Sequence, residues 1–118
     1  MSTERVVAVL PCDKTDIEFV TLSEDETGCE ALRRLVDCDT FQAVCITDDL
    51  EFYVDEEGVW NDKQPNQCEQ KLIDGKWGFL GNAVLMREGG SVTQDDIDKL
   101  EALVDADLKR RASFAASF

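Results

Sequence analysis

Residues 41–58, FQAVCITDDLEFYVDEEG, constrain the fold more than any other part of the chain. Two apolar runs, 41–47 and 50–54, are separated by Asp48 and Asp49, and each alternates large apolar residues with others. A period of two around a pair of turn formers predicts a β-hairpin. A two-residue connection needs positive φ at its centre, which Asp tolerates less readily than Asn or Gly, so a three- or four-residue turn is equally compatible. On the second strand Leu50, Phe52 and Val54 share one face, and Glu51, Tyr53 and Asp55 share the other.

The flanking segments supply the rest of a sheet and its helices. Residues 5–10, RVVAVL, and 17–22, IEFVTL, are apolar runs joined by turn formers, which predicts an N-terminal hairpin. Because 6–10 scarcely alternates, that strand is expected inside the sheet with both faces covered. Thr27 with Glu30 has the form of a capping box opening a helix over 28–36. Its inner stripe would hold Cys29, Leu32, Leu35 and Val36, with Glu30, Arg33 and Arg34 outward. Val59 and Trp60 read as a restarted extended run, and 61–67, NDKQPNQ, as a surface loop. Residues 68–73 suggest one helical turn with Cys68, Leu72 and Ile73 inward. The last strand signal is 76–86, KWGFLGNAVLM, interrupted at Gly81 and Asn82. After a flexible connection at 88–90, Thr93 caps the longest helix, 94 to about 109, with Ile97, Leu100, Val104 and Leu108 at intervals of three and four. The sum is one α+β domain over 1–112, an antiparallel sheet of four to six strands with two main helices on one face. A loose tail follows at 113–118.

At 118 residues the chain is long enough for one core without disulfides or a metal. No apolar run approaches the roughly 20 residues of a membrane span, and MSTERVVAVL lacks the build of a secretory signal. The five cysteines are odd in number and form no C-x-x-C pair. They read as separate thiols, packed as small hydrophobes in a reducing cytoplasm. The chain has no histidine, which removes Ser/His and Cys/His nucleophilic pairs and the usual transition-metal ligand. The glycines at 75, 78 and 81 do not space as a phosphate-binding loop. The acidic hairpin does not space as a calcium loop either, because Gln64 stands where a glutamate would be needed. No metal and no cofactor are expected.

Twenty-six acidic residues against twelve basic ones give a net charge of −14. Such a surface repels nucleic-acid phosphates and anionic lipid, so neither is expected as a direct partner. It suits a protein partner with a basic surface, and equally a plain solvated exterior. Asp98, Glu101 and Asp105 share one face of the C-terminal helix, about 5 Å apart along its axis at ~1.5 Å per residue. A column of that kind can imitate a phosphate strand, although a solvated amphipathic helix looks the same in sequence. Arg110 to Phe114, RRASF, has the form that basophilic kinases recognise, with Ser113 as acceptor. Tyr53, Trp60, Trp77 and Phe79 suit either a core or a ligand pocket.

Over residues 30–103, the helix EALRRLVD, the hairpin, the loop QPNQ, the strand GFLGNAVLM and the helix start TQDDIDKL occur in an order that resembles a small domain family of unknown function. That family is found widely in phages, plasmids and other mobile elements. It often places a glycine turn before the hairpin, where this chain has Asp37, Cys38 and Asp39. The resemblance implies a compact intracellular α+β domain, and it carries no catalytic residues over. Asp55, Glu56, Asn66 and Asn82 match its recurring polar positions, and turn chemistry alone also calls for such residues there.

These observations lead to the expectation of a non-enzymatic, acidic, cytosolic binding module that engages a protein partner, an anti-defence or regulatory factor of a virus or mobile element. Two other readings stand beside it. One is a small-ligand or nucleotide-metabolite binder lined by Tyr53, Asn66 and Asn82. The other is a carboxylate-dependent hydrolase, for which nothing in the sequence selects a pair of acids and whose test is whether activity survives in Asp55→Asn and Glu56→Gln.

Overall fold

The apolar run at the N-terminus becomes β1 (Arg5–Leu10), and it pairs antiparallel with β2 (Glu18–Leu22), Val7 facing Val20 across the ladder. The structure, a computed structural model, describes residues 5–23, 28–73 and 77–103. Within them follow α1 (Gly28–Val36), β3 (Phe41–Cys45), β4 (Leu50–Asp55), α2 (Gln67–Ile73) and β5 (Ala83–Arg87). A third helix, α3, begins at residue 94 and continues to 103, where the described residues end. The five strands form one antiparallel sheet in the order β2-β1-β5-β4-β3.

The central strands are covered on both faces, as the unbroken apolar character of β1 predicts. Val7 and Val9 of β1, with Val84 and Met86 of β5, meet Ala31, Leu32 and Val36 of α1. Ala8 and Leu10, with Leu85 and Phe52, meet Cys68, Ile97 and Leu100 from α2 and α3 on the opposite side. The helices therefore divide between the faces instead of sharing one. Each helix has a single apolar stripe, and two apolar sheet faces need two covers. Phe52, Trp77 and Phe79 cluster in the second core, with ring centroids 5.0–5.8 Å apart.

The turn of the central hairpin is the longer of the forms considered. Ile46 and Thr47 both donate their N–H to Leu50 O, and Thr47 Oγ1 accepts from Asp49 N and Leu50 N at 3.2 and 3.1 Å. The threonine hydroxyl closes the loop, so no residue at its tip needs positive φ.

Several local expectations change. Cys29 is exposed, because α1 is rotated to turn Ala31 inward with Leu32 and Val36. Val59 and Trp60 lie in a run of turns over 56–62 and not in a strand. The last strand is shorter than its apolar signal, since Gly81 bends the chain with φ +80°; Ala83–Arg87 pairs within the sheet, while Leu80 makes only an isolated bridge to Pro65. All five cysteines are free, yet only Cys68 is fully buried; Cys29 and Cys45 are exposed and Cys12 and Cys38 half-buried. Burial pushes the Cys68 thiol up to about 11, so it stays a protonated packing group. Thr27, Val104, Leu108, the arginine pair at 110–111 and the tail lie outside the described residues. No described helix is long and apolar enough to cross a membrane.

Candidate functional site

The polar positions singled out in sequence collect at one end of the sheet, where β1 and β4 finish and β3 and β5 begin. Asp55, the last residue of β4, is buried, and its Oδ1 accepts Glu57 N–H at 2.8 Å. Its Oδ2 accepts Asn61 Nδ2 at 2.9 Å and faces Lys63 Nζ at 3.4 Å. The Asp55 and Lys63 side chains are 1% and 16% exposed, so this is an interior ion pair. Burial pushes the Asp55 carboxyl up, but the Asn61 and Glu57 hydrogen bonds and the Lys63 ammonium together outweigh it and hold the pKa below the ordinary value. Lys63 Nζ also donates to Val36 O at 3.2 Å and to Asp37 O, tying the turn to the end of α1.

Asn66 sits deeper, and the expectation of a continuous surface loop over 61–67 fails at this residue. Its Nδ2 donates to Leu10 O and Gly81 O, both at 2.8 Å, and its Oδ1 accepts Glu69 N–H at 2.8 Å. Asn66 is thus the N-cap of α2 and at the same time a clasp between β1 and the approach to β5. Asn82 spans the same region, accepting Cys12 N–H at 2.8 Å and donating to Leu35 O at 3.1 Å. Glu69, unremarked in sequence, is buried and accepts Trp77 N–H at 2.8 Å and Phe79 N–H at 2.7 Å. Among the described residues no buried polar side-chain atom lacks a partner.

The other positions stand apart. Tyr53 faces the α1 side, edge-on to Phe41 at 5.7 Å, with its hydroxyl donating to Glu51 at 2.8 Å. It lines a small groove with Arg5, Glu51, Met86 and Glu88, so Tyr53, Asn66 and Asn82 do not form one pocket. Glu56 is exposed on the turn beside Asp55. Asp98 and Glu101 are exposed on α3, while Asp105 and Ser113 lie outside the described residues. Asp96, in the first turn of the same helix, is buried, accepts Thr93 N–H at 2.9 Å and pairs with Arg87 at 2.7 Å. No group of three or more His, Cys, Asp or Glu among the described residues could hold a metal ion.

Among exposed carboxylates and amides, this end of the molecule also presents two large apolar side chains to water. Val59 is 74% exposed and Trp60 84%, the two largest exposures among the described large hydrophobic residues. The turn carrying them is held by Asp55, by Asn61 N–H on Glu57 O at 2.9 Å and by Lys63 N–H on Gly58 O at 2.9 Å. Beside it a groove of about 290 Å³ runs between Val44 of β3 and the segment 77–80, with Val59 at its mouth. Two adjacent apolar residues without a period are a weak strand signal, and their exposure becomes visible only once the Asp55 turn is known.

The fold and this end of the sheet define an α+β domain whose buried polar groups brace loops and whose exposed apolar residues ride on one of those loops. The chain belongs to a family described as a domain of unknown function (DUF3846), which it matches over residues 5–105. The match takes in the N-terminal hairpin as well as the segments quoted from the sequence. No curated protein and no solved structure matches the chain.

Proposed function

We propose that this domain is a non-enzymatic binding module that engages a protein partner through the Trp60 end of the sheet. The observation that carries the reading is Trp60 itself, an indole held 84% exposed on a turn pinned by an interior ion pair. A buried aromatic covers roughly 150–250 Å², and tryptophan is among the residues that anchor protein interfaces. A turn braced through Asp55, Asn61 and Lys63 presents it without loss of loop entropy on binding. The negative charge supports a partner of basic surface, since opposite potentials steer association and set its salt dependence. The resemblance to domains carried by mobile elements supports an anti-defence or regulatory role in a virus or such an element.

Affinity capture tests the reading, with the intact chain and a Val59→Ser/Trp60→Ser variant as parallel baits at low and high ionic strength. The wild-type chain is expected to retain a defined protein at low salt that the variant loses and high salt weakens. Identical capture by both baits would remove the Trp60 end from the account.

A small-ligand reading finds room elsewhere, in a groove of about 390 Å³ lined by Leu50, Arg87, Asp96, Lys99 and Leu103 among others. Arg87 is engaged there by Asp96 at 2.7 Å and faces Asp49 at 4.0 Å, so Lys99 is the cation left to meet the polar end of a small, largely apolar ligand. A thermal-shift screen with such compounds, repeated on Lys99→Ala, tests it.

A further inference from the structure

Among the described residues no strand pairs with the outer edge of β3, next to the Trp60 tip. In an antiparallel ladder alternate residues turn their N–H and C=O toward the neighbouring strand, and the residues between turn theirs away. Glu56 N–H donates to Thr40 O at 3.1 Å and Ile46 N–H to Leu50 O at 3.0 Å, which makes 40, 42, 44 and 46 the residues bonded to β4. Phe41, Ala43 and Cys45 therefore aim their backbone groups outward, where no described residue meets them. The strand FQAVC carries no charge and no proline, two common means of closing an edge. The opposite edge begins with Glu18, ion-paired to Lys14 at 3.2 Å.

The charge around β3 selects the occupant. Exposed carboxylates bracket it, Asp37, Asp39, Glu56 and Glu57 at its start and Asp48 and Asp49 at its finish. The cations at the two ends are already engaged, Lys63 at the start by Asp55 and the end of α1, and Arg87 at the finish by Asp96 at 2.7 Å and, more loosely, by Asp49 at 4.0 Å, which leaves Asp48 the more open carboxylate there. A second copy of this chain fits poorly, since antiparallel pairing about Ala43 would lay Asp37 against Asp49 between two molecules of charge −14.

We infer that β3 takes up an added strand, an extended segment of the protein partner with lysine or arginine toward its ends and an apolar residue that enters the groove beside Val44, Val59 and Leu80. This deepens the binding-module reading and rests on it. The added backbone would bond to Phe41, Ala43 and Cys45, and its flanking cations would meet the two acidic ends.

The test is an amide-resolved NMR titration of the full chain with a synthetic peptide of alternating arginine and valine. An alternating glutamate and valine peptide, and the arginine peptide N-methylated on alternate residues, serve as comparisons. The arginine peptide is expected to slow hydrogen exchange at Phe41, Ala43 and Cys45 and to leave Gln42 and Val44 unchanged. Ala43→Pro removes an outward N–H without touching the β4 ladder, and should weaken binding about tenfold, the worth of one lost interstrand bond. N-methylation at the alternate peptide residues whose N–H would face β3 removes several such bonds, and should weaken binding more than Ala43→Pro without altering the protein. Protection at β2, equal binding of the glutamate peptide, or shifts without slowed exchange at the three outward amides would each overturn the inference. Partner capture that survives Ala43→Pro but is lost with Trp60→Ser would remove strand addition and leave the binding module standing.

Discussion

The carboxylate of Glu69 accepts the backbone N–H of Phe79 at 2.7 Å, joining a seven-residue helix to the strand approach ten residues later. Its other oxygen takes Trp77 N–H at 2.8 Å, so one buried side chain supplies acceptors to a segment that has no ladder of its own. The pair of bonds holds Trp77 and Phe79 against Phe52, and with them the floor of the groove beside β3.

Glu69→Gln puts this to a sharp test, because an amide has one acceptor where the carboxylate has two. Whichever way the amide turns, its NH₂ faces one of the two backbone N–H groups. The substitution is expected to cost roughly 2 kcal/mol, the penalty for an unsatisfied buried donor, and Glu69→Ala more. Urea unfolding measures it; an unchanged midpoint for both variants would mean that water satisfies those amides.

The Asp55 ion pair makes a pH-dependent prediction. The folded-state pKa of Asp55 lies below its ordinary value, so its contribution is present above the unfolded pKa and is lost as pH falls through the folded one. Asp55→Asn keeps an acceptor for Glu57 N–H but turns a donor toward Asn61 and Lys63, and should cost roughly 1–3 kcal/mol at neutral pH. The difference from wild type is expected to narrow below about pH 4, where the unfolded wild-type chain takes up a proton at this carboxyl before the folded one does. A gap that stays constant from neutral pH into acid would show that the ion pair is not what the substitution removes.

Asp37 offers a substitution expected to stabilise. It follows the last residue of α1 with φ +60°, and Cys38 N–H reaches back to Arg33 O at 3.1 Å, the closing pattern that glycine normally serves. An aspartate there carries left-handed strain and sets a negative charge at the negative end of the helix. Asp37→Gly relieves both, offset in part by the greater freedom of glycine in the unfolded chain. The net gain should be about 0.5–1 kcal/mol, read as a higher urea midpoint at unchanged slope. A lowered midpoint would point to some favourable contact of the Asp37 side chain.

That substitution also marks where sequence and structure part. Both hairpins, the N-terminal strand run and the bounds of α1 follow from local chemistry, because periodicity and turn formers act over a few residues. The division of helices between two faces was present in the unbroken apolar runs of β1, whose alternate residues must each be covered. Asn66 and Glu69, three apart before an apolar pair, have the spacing of a helix cap, a local signal that reading 61–67 as a surface loop passes over. The bond from Asn82 to Leu35 crosses 47 residues, and Lys63 meets Val36 across 27. Contacts of that span leave no local pattern, so the bonds of Asn82 to Leu35, of Lys63 to Val36 and of Asn66 to Leu10 emerge only from the fold.

Tyr53 closes the set, since it is the chain's single tyrosine and its phenolate band reports on one site alone. Burial first, and then the hydrogen bond to Glu51, push its pKa up to about 12 from an ordinary value of 10.0. An ultraviolet pH titration of the folded protein should therefore show little phenolate at pH 10. Glu51→Gln removes the charge and the carboxylate acceptor but leaves the burial against Phe41, so its midpoint should fall only part of the way toward 10.0. The raised pKa contributes stability that is fully present below the unfolded value and is lost as pH rises from about 10 toward about 12. A wild-type midpoint near 10.0 would mean that Tyr53 stands in water, and would remove the packing that joins β3 to β4 on the α1 side.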